Sequence, residues 1–110
     1  MAEKIGIIGY GNLGQAIAQQ VKSQYQIWVF DKDKNKTKGL KGINLAGQNA
    51  DLVNRVDTVI LAVKPQDCDA VLREIKNSVK GKLIISIAAG ISTAYIEKVL
   101  ANARVIRVMP

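Results

Sequence analysis

At 110 residues the chain has the length of one small domain, able to bury about two-thirds of its unfolded surface. Its formal net charge of +7 asks for an anionic partner, but one Phe, one Trp and three Tyr leave little aromatic surface for stacking bases, so nucleic acid is not the expected partner. With no histidine and a single cysteine, His-based triads, most zinc sites and any disulfide framework are excluded, no metal is expected, and the composition fits a reducing cytoplasm; no apolar run approaches the roughly 20 residues that span a bilayer, and Glu3, Lys4 and the early glycines interrupt any signal-peptide core.

Ile5 to Ile8 is a short apolar run of the kind that forms a buried parallel strand. It breaks at Gly9-x-Gly11-x-x-Gly14, and a helical pattern starts at once, with Leu13, Ile17 and Val21 recurring every fourth residue. Strand, glycine turn and helix in that order are the context in which this motif binds a dinucleotide. Gly9 allows the tight turn, Gly11 lets the backbone approach a pyrophosphate, and Gly14 lets the helix pack close to the sheet. The helix N-terminus offers unpaired N–H groups and a partial positive charge to the phosphates. A glycine-rich turn with no ligand is the competing reading.

Gln26 to Phe30 forms a second strand, rich in β-branched and aromatic residues, and ends in Asp31. Asp31 follows Gly9 by 22 residues, where a dinucleotide fold places the carboxylate that accepts from the adenosine ribose hydroxyls. Lys32, Lys34, Lys36, Lys38 and Lys41 come next. Most of them read as a solvated surface, with Lys32 the candidate for reaching a 2′-phosphate. The two signals oppose each other, because a carboxylate at Asp31 favours a free diol and repels a phosphate. NAD is therefore preferred over NADP.

Residues 42 to 47 are expected to form a third strand and turn, and residues 49 to 55 a brief helix with Leu52 and Val53 facing inward. Thr58 to Val63 is an uninterrupted apolar run, as in a central strand covered on both faces. Pro65 cannot donate to a ladder, so this strand ends there and Ala62 to Gln66 line the ligand crevice. Asp67 to Val79 reads as an amphipathic helix terminated by Gly81, with Cys68 in its first turn, where the dipole could lower the thiol pKa. Without a histidine beside it, Cys68 is read as structural.

Leu83 to Ile87 is a further buried strand, running into the small residues Ala88, Ala89 and Gly90, which permit close approach of a flat ring or simply close packing. Ser92 or Thr93 caps a last helix facing inward through Ile96, Val99, Leu100 and Ala103, and residues 104 to 109 make a sixth strand. Strands alternating with helices throughout give an α/β, doubly wound parallel sheet of the Rossmann type, with about six strands in the order 3-2-1-4-5-6.

Gly9-Tyr10-Gly11-Asn12-Leu13-Gly14, Leu61-Ala62-Val63-Lys64-Pro65-Gln66, Ile85-Ser86-Ile87-Ala88-Ala89-Gly90 and the stretch from Arg104 to Pro110 resemble, in order and spacing, the cofactor domain of Δ1-pyrroline-5-carboxylate reductase. The resemblance implies an oxidoreductase of proline biosynthesis that passes a hydride from NAD(P)H to a cyclic imine. It implies that Ile8, Gly9, Tyr10, Gly11, Asn12 and Leu13 contact the pyrophosphate and that Asn49 lies near the adenosine half. Ala62, Val63, Lys64 and Pro65, with Ala88, Ala89 and Gly90, would flank the ribose and nicotinamide. Asp31-Lys32 departs from members that prefer NADP, which often carry a neutral residue followed by a basic or hydroxyl one.

The family continues beyond Met-Pro into a helical domain that builds the dimer and much of the imino-acid pocket. The expectation is that residues 1 to 110 are the cofactor domain without it, inactive alone, and homo-oligomeric only with it. No residue stands out as the general acid; Lys64 is near the right place. Two other readings remain open: the cofactor domain of a β-hydroxyacid or 6-phosphogluconate type dehydrogenase, and a non-catalytic module that senses NAD(P).

Overall fold

Six strands and four helices alternate along residues 3–108, the part of the chain that the computed structural model describes. β1 (Lys4–Ile8), β2 (Gln26–Phe30), β3 (Asn44–Leu45), β4 (Thr58–Leu61), β5 (Leu83–Ser86) and β6 (Arg104–Arg107) form one parallel sheet in the order β3-β2-β1-β4-β5-β6. α1 (Asn12–Val21) follows β1, a 3₁₀ turn (Lys34–Thr37) follows β2, and α2 (Asn49–Arg55), α3 (Pro65–Ile75) and α4 (Thr93–Val99) follow β3, β4 and β5. The expected strand order is the observed one.

Two clusters of apolar side chains lie on opposite faces of the sheet. On one face Leu52, Val53, Leu72, Ile75, Ile96 and Leu100 pack on Ile8, Val59, Leu61 and Ile84, all essentially buried. Each such side chain contributes roughly 2 kcal/mol when removed from water. On the other, α1 and the segment after β2 cover Ile7, Ile27, Val29 and Ile60. Alternation along each strand divides its residues between the two clusters, which is why the strands read as continuous apolar runs.

The structure corrects several boundaries. β3 is two residues long, because only Asn44 and Leu45 pair with Trp28 and Val29. β4 stops at Leu61 rather than Val63, although the Ala62 amide still donates to the Ile8 carbonyl at 2.8 Å. α3 begins at Pro65, not Asp67, since proline suits the first helical position, where its missing N–H has no partner to lose. The same helix ends at Ile75, so Val79 is buried from a turn and Gly81 (φ 74°) shapes the bend into β5 rather than capping a helix. β5 ends at Ser86, one residue short of Ile87.

Ser92, not Thr93, caps α4, accepting from the Tyr95 amide at 3.1 Å. β6 ends at Arg107; the expected strand residue Met109, and Pro110, lie outside the described residues. The buried side of α1 is Gly14 and Ala18, with Leu13 left 40% exposed. Cys68 is buried, and that burial, with Asp69 beside it, raises its thiol pKa rather than lowering it.

Candidate functional site

β1 sends the chain leftward to β2, and β4 sends it rightward to β5, so a crevice opens at the carboxyl ends of β1 and β4. A cavity of about 780 Å³ lies there. The turn after β1 is locked by backbone contacts. Gly9 adopts φ 93°, its amide donates to the Phe30 carbonyl at 2.9 Å, and a Cβ there would sit 2.7 Å from the Ala62 carbonyl oxygen. A Cβ on Gly14 would collide with the Gly9 carbonyl, so helix and turn approach as closely as a glycine permits. Gly11 differs: it lines the cavity, and a Cβ there would meet nothing within 4 Å. No side chain caps the first turn of α1, so the helix end presents its amides without a protein acceptor from a cap.

Of the residues singled out from the sequence, Ile8, Gly9, Gly11, Asp31, Lys32, Asn49, Ala62, Val63 and Lys64 line this cavity. Tyr10, Asn12, Leu13, Pro65, Ala88, Ala89 and Gly90 do not. The Tyr10 side chain is buried in the cluster under α1, whereas Asn12, Leu13 and Pro65 are exposed at the starts of their helices. Ala88 is buried just past β5, and Ala89 and Gly90 are exposed beyond it.

Asp31 has a structural task that spacing alone does not reveal. Its Oδ2 accepts from the Tyr10 amide at 2.7 Å and its Oδ1 from the Asp33 amide at 2.8 Å, tying the glycine turn to the end of β2. Each carboxylate oxygen can accept a second bond, so a further donor in the cavity is still served. Lys32 is not free for a phosphate. Its Nζ donates to Asp67 Oδ1 at 2.7 Å, joining the exit of β2 to the first turn of α3, and this hydrogen bond holds its pKa above the ordinary lysine value.

Asn49 is buried, and its Nδ2 donates to Glu74 Oε2 at 2.7 Å, while its Oδ1 has no partner. Among the described residues it is the one buried side-chain polar atom left unsatisfied.

Sequence reading missed the wall that α3 supplies: Asp67, Ala70, Val71 and Glu74 line the cavity. They recur at three- and four-residue spacing, so the helical period that located the apolar stripe also carried this signal. Phe30, Asp33, Lys36 and Gln48 complete the lining, together with Gln66, which was expected in the crevice from the end of β4. The cavity thus holds the carboxylates of Asp31, Asp33, Asp67 and Glu74 against the ammonium groups of Lys32, Lys36 and Lys64. The positive charge of the whole chain is not concentrated here. Among the described residues no group of three or more His, Cys, Asp or Glu could hold a metal ion, and no helix is long and apolar enough to cross a membrane.

The profile of the family described as "NADP oxidoreductase coenzyme F420-dependent" matches residues 4–90. The chain is 39% identical over 118 aligned residues to the pyrroline-5-carboxylate reductase of Methanosarcina acetivorans, covering 98% of this chain and 44% of that protein. Against the pyrroline-5-carboxylate reductase of Escherichia coli it is 38% identical, covering 100% of this chain and 45% of the other. Among solved structures, a pyrroline-5-carboxylate reductase from Coxiella burnetii superimposes with a TM-score of 0.90 at 31% identity, covering 100% of this chain and 44% of that one. The Plasmodium falciparum pyrroline carboxylate reductase with NADP bound gives 0.86 at 26% identity, over 98% of this chain and 42% of that one. The chain therefore spans less than half the length of these relatives.

Proposed function

The chain belongs to the coenzyme F420-dependent NADP oxidoreductase family, and from that premise we propose that it is the dinucleotide-binding domain of a reductase acting on the cyclic imine of pyrroline-5-carboxylate. The observation that carries this reading is the cavity at the carboxyl ends of β1 and β4, walled by the locked glycine turn on one side and by Asp31 and α3 on the other. One feature in particular fits a dinucleotide there: the space over Gly11, which a Cβ would occupy, suits a pyrophosphate.

Between the two nicotinamide dinucleotides, the site favours the one without a 2′-phosphate. Asp31 stands where the ribose diol is expected, Lys32 is held by Asp67, and carboxylates outnumber ammonium groups around the cavity. A phosphate brought to Asp31 would meet its carboxylate, with Lys32 engaged by Asp67.

The bound cofactor, when reduced, supplies the hydride that converts a C=N bond to an amine. The work of this chain is to bind and orient it. In this reading the turn at Ile8, Gly9 and Gly11 holds the phosphates, Asp31 and Asn49 flank the adenosine half, and Ala62, Val63 and Lys64 flank the ribose and nicotinamide, with Ala89 and Gly90 exposed beyond β5. Oriented binding of this kind is worth roughly 7–11 kcal/mol of a reaction barrier. The imine nitrogen also needs a proton. Lys64, exposed where β4 gives way to α3 and facing the cavity, is the residue to test as its donor. We assign the imino-acid pocket and the dimer contacts to the additional length that the relatives carry.

Titrating residues 1–110 with NADH and NADPH, followed by cofactor fluorescence, tests the reading. Both should bind, NADH more tightly, with no measurable turnover of pyrroline-5-carboxylate. Failure to bind either cofactor overturns the proposal, and robust turnover by these residues alone overturns the division of labour.

A further inference from the structure

We propose that Asp67 is a positioning residue that holds Lys32 back as a phosphate ligand, so that the preference for an unphosphorylated ribose is set from α3 and can be relaxed there. This rests on the dinucleotide reading and goes beyond it: Lys32 is a reserve cation whose use is decided by a carboxylate 35 residues away.

Lys32 follows the end of β2, and Asp67 lies in the first turn of α3, which follows β4. β2 and β4 flank β1 on either side, so they stand two strand spacings, or roughly 10 Å, apart. The Lys32 side chain therefore reaches across the crevice at the carboxyl end of β1, where its Nζ donates to Asp67 Oδ1 at 2.7 Å. Among the described residues this is the one ion pair between groups that line the cavity. The lysine side chain is 76% exposed and the aspartate 29%, which leaves both within reach of a ligand. Asp31, where the ribose diol is expected, stays on the β2 side, bonded to the Tyr10 and Asp33 amides. Asp67 thus draws the ammonium next in sequence to Asp31 away to the opposite wall. A phosphate must break the pair to use Lys32, and the broken pair leaves the Asp67 carboxylate facing the same cavity. An exposed pair of this kind is weak, so an asparagine in place of Asp67 would release the lysine. Its flexible stem can then turn back to the exit of β2, where the ammonium meets a 2′-phosphate as a charge-assisted donor. Lys36 and Lys64 also line the cavity, but neither is tied to Asp67, so neither is released with it.

The experiment is a double-mutant cycle read in binding, with NADH and NADPH titrated separately into the wild-type chain, Asp67→Asn, Lys32→Met and the double variant. The quantity is the NADPH dissociation constant divided by that of NADH. Asp67→Asn should lower it about five-fold, the size of a strong exposed charge pair. With Lys32→Met already in place, the same change should move it by about two-fold at most. Lys32→Met alone should leave the ratio within about two-fold of wild type, because Lys32 is already withheld.

An equal fall in both backgrounds would mean that Asp67 acts by its own charge and would overturn the proposal, as would a ratio that Asp67→Asn leaves unmoved. A ratio raised about five-fold or more by Lys32→Met alone would show that Lys32 already serves the phosphate, and overturns it too. A wild-type chain that binds neither cofactor would instead remove the dinucleotide reading, and this proposal with it. Asparagine matches aspartate in size and Lys32 is mostly in solvent, so neither change touches the core.

Discussion

The two ends of the sheet face that carries α1 are finished differently. Under α1, Ile7, Ile27 and Val29 are fully buried, and the helix closes on the Gly9 turn through Gly14. Towards the opposite edge, Ile85 and Ile87 are only partly buried, Ile106 is 47% exposed and Val108 is 46% exposed, with no helix over them among the described residues. The half that holds the glycine turn completes its own packing. The half beside β6 contributes few fully buried contacts, and Ala89 and Gly90 at its upper edge are exposed. The glycine-turn end of the cavity is thus walled by the chain itself, whereas the β5 end lacks equivalent walls.

The strongest way to break this contrast is Gly14→Ala. Its methyl group would press on the Gly9 carbonyl, backbone against backbone, so neither side can yield cheaply. A loss of about 3 kcal/mol, or a fall in Tm on the order of 15 °C, is expected by thermal melting, with cofactor binding lost alongside it. An unchanged Tm would show that the closed half is loosely packed after all.

Gly11→Val separates binding from folding. A side chain there has open space, so Tm should hold within a couple of degrees, while NADH affinity falls about 100-fold or more as the pyrophosphate's room is filled. Unchanged affinity in a folded variant would misplace the cofactor.

Asp31→Ser should act more weakly and on both properties. It removes the acceptor that ties the Tyr10 and Asp33 amides together, at about 1–2 kcal/mol of stability. NADH binding should weaken more than NADPH binding, since the diol acceptor and the phosphate-repelling charge disappear together. Equal weakening in paired titrations would confine Asp31 to its structural bonds.

The smallest effect sharpens the comparison from the open side. Ile106→Lys should change stability by no more than about 0.5 kcal/mol, because the residue is already half in water. Ile27→Ala on the same face, under the helix, should cost about 3 kcal/mol. Equal costs in denaturant titrations would erase the distinction between the two halves.

Legibility of the chain followed the range of the interactions involved. β2 and α2 occur at the residues expected, because a run of β-branched and aromatic side chains and a short amphipathic period are local signals. Pro65 was legible as a strand stop but not as a helix start, since both uses of proline follow from the same missing N–H. The extent of β3 depends on how far Trp28 and Val29 offer a partner, which lies outside its own sequence. Lys32 stands at the right place to suggest a phosphate ligand, yet its partner Asp67 is 35 residues away. Glu74 carried no motif at all.

The order of strands and helices, the glycine turn and the carboxylate after β2 were determined by the sequence by itself, because periodicity and backbone sterics act within a few residues and right-handed crossovers leave little choice of topology. Only the tertiary structure decided that Lys32 is spent on Asp67, that Asp31 also braces the glycine turn, and that the Asn49 amide donates to Glu74. Each of these is a contact between side chain or backbone groups at least 21 residues apart, and hydrogen bonds of a few ångströms are set by how elements pack rather than by what lies next in the chain.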